Sequence, residues 1–146
     1  MKAYKFRFEK VLKSKKIIVD ELASKNARAQ KILTLEVRRL DDLKEREARC
    51  VRELVLRQVG RVNAGELQQG HSYLQLLGSA IVQQVTRVRE IARRVETLRN
   101  MLVEAEKERK IFEKLDERER EAFHRSFLKK EQALLDEVGI NRFVRR

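Results

Sequence analysis

Few side chains in this sequence are of the types that carry out chemistry, and none of them is grouped. The two histidines, His71 and His124, are too far apart in the chain to form an HxxxH metal-binding pair. Cys50 has no partner group around it and is interpreted as a passive small side chain. The carboxylates occur in mixed-charge runs such as 104–110, typical of a solvated helix face. With no phosphate-binding or nucleophile motif either, the sequence predicts no enzyme, no metal site and no cofactor.

The composition favours long helices. The chain has 146 residues, of which 40% are charged and 5% aromatic, with five glycines and no proline. A sheet protein needs many tight turns, and so few glycines allow only one or two chain reversals. A coiled coil buries a narrow seam and leaves most side chains in water, so it tolerates this much charge. The predicted fold class is all-α.

A heptad repeat is clear in the second half of the chain. Its a positions are Leu74, Ile81, Val88, Val95, Leu102 and Arg109, and its d positions are Leu77, Gln84, Ile91, Leu98, Ala105 and Phe112. Ten of these twelve are apolar, which strongly indicates a coiled coil. The first half has a less regular helical rhythm, carried by Phe8, Val11, Leu12, Ile18, Leu22, Ala29, Ile32, Leu33, Leu40, Leu43, Val51, Leu54 and Val59.

The chain is predicted to reverse once, because four of its five glycines lie within residues 60–78. Asn63 and Glu66 have the spacing of a capping box, which starts a second helix near residue 64. We therefore predict a single antiparallel two-helix coiled coil over residues 1–146. Helix 1 spans about 5–60, the turn about 60–64 and helix 2 about 64–138, with a basic tail over 139–146 after Gly139.

These unequal helices predict an overhang at the C-terminal end. A turn centred near residue 62 places Phe8 opposite about residue 116, so about twenty residues of helix 2 have no facing helix. An apolar stripe continues along them through Ala122, Phe123, Phe127, Leu134 and Val138. An uncovered stripe predicts a partner protein. The alternatives are that the last segment folds back or that the helices are staggered differently.

Positive charge is concentrated at the two termini, which a hairpin brings to one end. The formal net charge is +12, and residues 1–16 hold seven lysines and arginines against one glutamate. Such an end suits an acidic protein surface, an anionic membrane surface or nucleic acid. Nucleic acid is disfavoured because the basic residues are not accompanied by a groove-binding motif. Without a membrane-spanning run or a signal peptide, the expected location is the cytoplasm.

Three segments resemble the FliJ family of flagellar export proteins, in the family's order. They are Phe6-Arg7-Phe8 with Val11-Leu12, then NAGELQQGHSYLQLLGSAI, then EAFHRSFLKKEQALLDEV. The resemblance covers nearly the whole chain and implies a monomeric hairpin similar to the central stalk of rotary ATPases. It implies a non-enzymatic part of the type III export apparatus that promotes assembly and activity of the hexameric export ATPase. It further implies contact with the cytoplasmic domain of the export-gate membrane protein, escort of export chaperones and peripheral association with the inner membrane.

Carried over residue by residue, the resemblance implies two contact sets. The export-gate set comprises Leu43, Tyr73, Leu77, Ala80 and Gln84. On helix 1 the match is poor, because Arg46 and Cys50 stand where aromatic residues are expected. As d positions, Leu77 and Gln84 have an alternative place in the seam, with Gln84 setting the register.

The ATPase set combines the basic aromatic end with the overhang. It comprises Phe6, Arg7, Phe8, Phe123, Arg125, Phe127, Gln132 and Asp136. Arginine and the aromatics are the types that carry interface energy. Phe8 could equally be a seam residue. Alternatives to this assignment are the equivalent stalk of a virulence secretion system and a generic coiled-coil adaptor.

Overall fold

The structure is a computed structural model that describes residues 2–145. Within that range the chain forms two helices, α1 over Glu9–Arg57 and α2 over Ala64–Val144, and no strand. The helices pack antiparallel as a hairpin, which confirms the all-α prediction. The chain divides into two compact units, here named the turn unit (residues 22–101) and the terminal unit (the described residues before 22 and after 101). A single domain over 1–146 stays a prediction.

The reversal is built around one glycine and one capping side chain. Gly60 has φ of +94°, a left-handed conformation that costs glycine little because it has no Cβ. Asn63 caps α2, since its Oδ1 accepts hydrogen bonds from the backbone N–H groups of Gly65 at 3.0 Å and Glu66 at 3.4 Å. This cap corresponds to the spacing of Asn63 and Glu66 in the sequence.

Both outer helix ends differ from their predicted positions. α1 begins at Glu9 instead of residue 5, because the chain turns after Phe6, whose carbonyl accepts the Glu9 N–H at 3.3 Å. α2 continues to Val144, so the predicted non-helical tail is wrong over residues 139–144. Gly139 lies within the helix, where glycine costs only about 1 kcal/mol relative to alanine. With no proline after it, nothing in the sequence forces the helix to end there.

Each helix buries side chains at alternating spacings of three and four. The α2 positions are those of the predicted heptad, and all of them are buried or half-buried. On α1 the corresponding positions in the turn unit are Leu22, Asn26, Ala29, Leu33, Glu36, Leu40, Leu43, Glu47, Cys50 and Leu54. This regular spacing is the 3.5-residue period of coiled-coil packing.

The apolar rhythm read for α1 is partly wrong. Five residues assigned to it are between 37% and 79% exposed, namely Val11, Ile18, Ile32, Val51 and Val59. Asn26 and Glu36 take buried positions instead, at 9% and 4% exposure. Polar residues occupy part of the α1 seam. A prediction from hydrophobicity alone therefore assigns seam positions to nearby apolar residues that in fact face water.

In the terminal unit, aromatic rings join the N-terminal residues to α2. The rings of Phe8 and Phe112 are 6.0 Å apart, and those of Tyr4 and Phe123 are 5.6 Å apart. Phe8 therefore lies opposite Phe112, one helical turn from the predicted residue 116. The difference arises because the turn is centred on residue 60 and not near residue 62 as predicted. Phe8 and Phe112 are separated from Gly60 by the same number of residues.

Candidate protein-binding surfaces

The five predicted gate residues do not share one surface. Tyr73 is 45% exposed and Ala80 is half-buried on α2. Leu77 is only 5% exposed and lies in an apolar cluster against which the half-buried Leu43 packs. Leu77 thus occupies its alternative place in the seam and offers little area to a partner.

Gln84 is also committed to the seam, through Glu36 on α1. Its Nε2 donates hydrogen bonds to Glu36 Oε2 at 2.6 Å and to the Glu36 backbone carbonyl at 2.9 Å. Arg39 Nη1 lies 3.0 Å from one carboxylate oxygen and Arg87 Nε lies 3.5 Å from the other. A carboxylate with 5% side-chain exposure is thereby supplied with donors from both helices.

These donors stabilise the charged form of Glu36. The hydrogen bond from Gln84 lowers the pKa of the carboxyl, and the positive charges of Arg39 and Arg87 act in the same direction. Burial opposes them by penalising the charge. The net direction is downward, so Glu36 is ionised at neutral pH.

Sequence reasoning missed an exposed neighbour of Tyr73. Leu76 is 70% exposed and lines the same shallow depression as Tyr73, Ser72 and Gln69. Leu76 is neither an a nor a d position of the heptad, and it follows Tyr73 by three residues. Because residues three apart are neighbours on a helix surface, this spacing could have identified Leu76 as part of the same exposed face.

The two poorly matching α1 residues differ in accessibility. Arg46 is exposed, whereas Cys50 is buried with its Sγ 3.8 Å from the Gly70 carbonyl oxygen. Cys50 belongs to the apolar cluster that contains Leu77. On this side of the hairpin, only Arg46 of the two is available to a partner.

The N-terminal members of the ATPase set also differ in accessibility. Phe6 is 8% exposed and Phe8 is half-buried against Phe112, so both are chiefly packing residues. The Arg7 side chain is 73% exposed, with its guanidinium 4.6 Å from the centre of the Phe8 ring and 3.7 Å from Glu119. Arg7 is therefore the member of this group that a partner can reach.

Tyr4, which the sequence interpretation placed in neither contact set, anchors the N-terminal residues to α2. Its hydroxyl donates to Asp116 Oδ1 at 2.7 Å and lies 3.2 Å from the Asp116 carbonyl oxygen. The Arg120 guanidinium lies 5.2 Å from the Tyr4 ring centre. Loss of solvation, followed by the hydrogen bond to Asp116, raises the pKa of Tyr4 to about 12. No local pattern could have identified this anchor, because the partner carboxylate is 112 positions away in the sequence.

The C-terminal members of the set lie on α2, from Phe123, whose ring contacts Tyr4, to Asp136. Phe123 is 38% exposed and Phe127 is half-buried. The Arg125 side chain is 73% exposed, 3.9 Å from Glu121. Gln132 Nε2 donates to Asp136 Oδ1 at 3.3 Å, and both residues are exposed.

After Phe127, every side chain from Leu128 to Arg145 is exposed, including those of Gln132 and Asp136. We call this stretch the overhang. Its large hydrophobic residues are 49% to 83% exposed, and they are Leu128, Leu134, Leu135, Val138, Ile140, Phe143 and Val144. Only Leu134 and Val138 of these belong to the predicted stripe. Leu128 and Leu135 lie outside it, and the last three follow Gly139, where the helix was predicted to end.

Other kinds of site find little support among residues 2–145. No group of three or more His, Cys, Asp and Glu side chains there could hold a metal ion. Neither α1 nor α2 has a stretch apolar enough to span a bilayer. His71 and His124 are both exposed and stand apart.

Comparison with known families gives one match. A family described as "Flagellar FliJ protein" matches residues 4–146, which is nearly the whole chain. No curated protein and no solved structure matches the chain.

Proposed function

The chain belongs to the FliJ family of flagellar proteins, and from that premise we propose that it is the stalk-like partner of the hexameric export ATPase. The family makes it a coiled-coil, non-catalytic component of the flagellar export apparatus. Within that role, the chain binds the ATPase and promotes its assembly and activity. A virulence secretion stalk is disfavoured by the flagellar family match.

One observation carries the ATPase proposal, namely the overhang. Seven large hydrophobic side chains project from one helical segment with no intramolecular cover among the described residues. Exposed apolar area of this kind usually marks an interface, because burying it gains about 25 cal/mol per Å². Basic side chains such as Lys129 and Lys130 flank the apolar ones. We propose that the overhang, which includes Gln132 and Asp136, forms the ATPase-binding end together with Phe123, Arg125 and Phe127.

Association with the ATPase tests this proposal. Leu134→Ser with Val138→Ser alters only exposed side chains, at 62% and 51% exposure, so the fold should be retained. We expect the wild-type chain to co-elute with the ATPase and the variant to lose that association. The matched control is Leu56→Ser with Val59→Ser, which changes two residues that are 71% and 79% exposed near the turn. Equal loss in both variants would count against a specific role of the overhang.

For the export gate, we propose a contact centred on the exposed part of the predicted set. Tyr73 supplies an accessible aromatic surface, Ala80 a small half-buried neighbour, and Leu76 extends the area. Leu43, Leu77 and Gln84 act from behind, by holding this part of α2 against α1. Escort of export chaperones and peripheral association with the inner membrane through the apparatus complete the proposed role, carried out as a monomer.

The gate contact can be separated from folding by two variants. Tyr73→Ala should weaken binding to the cytoplasmic domain of the gate protein by about tenfold while leaving stability within about 0.5 kcal/mol. Leu77→Ala should instead lower the unfolding free energy by about 2 kcal/mol or more, because it opens a cavity in the seam. Calorimetric titration and urea unfolding measure the two effects. Unchanged gate binding by Tyr73→Ala would contradict the assignment.

A further inference from the structure

The turn unit contains a groove that neither contact set uses. Its α1 wall includes Lys25, Arg28 and Ile32. Its α2 wall includes Arg87, Ile91 and Arg94, together with one carboxylate, Glu90. The small side chain of Ala29 lies at the bottom, 7% exposed. Ile32 is 48% exposed, so the groove offers apolar area between walls on which four basic side chains outnumber one carboxylate.

The surroundings of the groove are the most unevenly charged part of the turn unit. Segments 22–39 and 81–101 together contain ten lysines and arginines against three glutamates. The two segments are separated by about forty residues in sequence, and the hairpin brings them together. Charge counted along the chain emphasises the termini and misses this concentration.

Most of that positive charge has no internal partner. Among the described residues, Lys25, Arg28 and Arg94 have no carboxylate within 4 Å. Arg87 contacts Glu36, which is buried. Unpaired cations beside an apolar floor repel one another and favour an acidic, partly apolar partner.

We propose that this groove binds an acidic amphipathic helix of a partner protein. The apolar floor matches the hydrophobic stripe of such a helix, and the basic walls match carboxylates on its flanks. Along α2 the groove runs from Gln83 to Leu98, about 22 Å, which is the length of four helical turns. Single-stranded nucleic acid fits less well, because no aromatic side chain lines the groove for base stacking.

A synthetic peptide tests the proposal on the full-length chain. The probe is a fluorescent helix of about 18 residues, with leucines at spacings of three and four and glutamates on both flanks. We expect micromolar binding by fluorescence anisotropy, weakened by added salt. Arg28→Glu with Arg94→Glu should weaken it at least tenfold, and Ile32→Ser at least threefold. The control Lys110→Glu with Lys114→Glu makes the same charge change on exposed residues outside the groove and should retain binding.

Three results would overturn the proposal, with circular dichroism confirming that each variant is folded. The first is equal weakening by the groove and control variants, which reduces the effect to net charge. The second is an unchanged affinity in Ile32→Ser, which removes the apolar contact. The third is tighter binding of a labelled single-stranded oligonucleotide than of the peptide, which assigns the groove to nucleic acid.

Discussion

Gln84 and Glu36 are hydrogen-bonded across the hairpin by two contacts, from Gln84 Nε2 to the Glu36 carboxylate at 2.6 Å and to its backbone carbonyl at 2.9 Å. Both residues are equally distant in sequence from Gly60. A slip of α1 past α2 would separate them and leave a carboxylate in the seam without its amide donor. This pair therefore favours one register over its neighbours, as single polar seam residues do in other coiled coils.

Removing the Gln84 amide alone should lower the stability of the hairpin more than removing both the amide and the Glu36 carboxylate. Gln84→Leu leaves the Glu36 carboxylate without its main donor, so we expect a clear fall in the urea midpoint. Gln84→Leu with Glu36→Leu should recover most of that loss, because two apolar side chains can pack together. Urea unfolding followed by circular dichroism gives both midpoints. A single variant as stable as the wild type would show that the pair does not stabilise the hairpin.

Glu36 also predicts an acid dependence. Its pKa in the folded chain is below the ordinary value of 4.5, so its stabilising contribution is present above pH 4.5 and is lost as the pH falls below it. We expect the wild type to lose stability more steeply than Glu36→Gln between pH 4.5 and the folded pKa. Thermal unfolding at closely spaced pH values measures the difference. If the stability of the wild type and of Glu36→Gln fell in parallel with pH, the lowered pKa of Glu36 would be contradicted.

Two glycines in α2 provide a matched pair for packing. A Cβ at Gly70 would overlap the Leu54 side chain, whereas a Cβ at Gly78 meets nothing within 4 Å. Gly78→Ala should therefore stabilise the chain by about 0.5–1 kcal/mol through helix propensity. Gly70→Ala should be less stable than Gly78→Ala by about 1–3 kcal/mol, because the added methyl group displaces a buried leucine. Equal unfolding free energies for Gly70→Ala and Gly78→Ala would show that Gly70 does not pack closely against Leu54.

Tyr4 predicts a dependence at alkaline pH. Its pKa is raised from 10.0 to about 12, so the contribution of the hydroxyl is present below pH 10 and is lost as the pH rises towards 12. Tyr4→Phe keeps the ring near Phe123 but lacks the hydroxyl, and should show a smaller loss over that range. Ultraviolet titration of tyrosinate absorbance gives the pKa of Tyr4 once the curve of Tyr4→Phe, which retains Tyr73, is subtracted. An ordinary value near 10 would contradict the bond to Asp116.

The α2 seam and the reversal could be predicted because apolar residues and glycine mark them in the sequence. The α1 seam could not be predicted completely, because Asn26 and Glu36 hold buried positions that hydrophobicity assigns to exposed neighbours. The end of α2 was placed too early, because a glycine is a frequent helix terminator and Gly139 here stays helical.

The candidate binding surfaces could also be predicted only in part from the sequence. The overhang could be predicted, because the apolar periodicity and the position of the turn together indicate two helices of unequal length. Leu77 and Gln84 were ambiguous, since spacing alone cannot decide whether a d position faces the other helix or a partner. The basic groove needed the structure, because it depends on two segments that are distant in sequence.

ATP hydrolysis by the purified hexameric export ATPase shows whether the chain stimulates the enzyme through its overhang. Hydrolysis is measured with no addition, with the wild-type chain and with Leu134→Ser, Val138→Ser. If the overhang is the ATPase-binding end, we expect a several-fold stimulation by the wild type and by the control Leu56→Ser, Val59→Ser, and at most weak stimulation by the overhang variant. Undiminished stimulation by a folded overhang variant, or none by the wild type, would contradict this proposal.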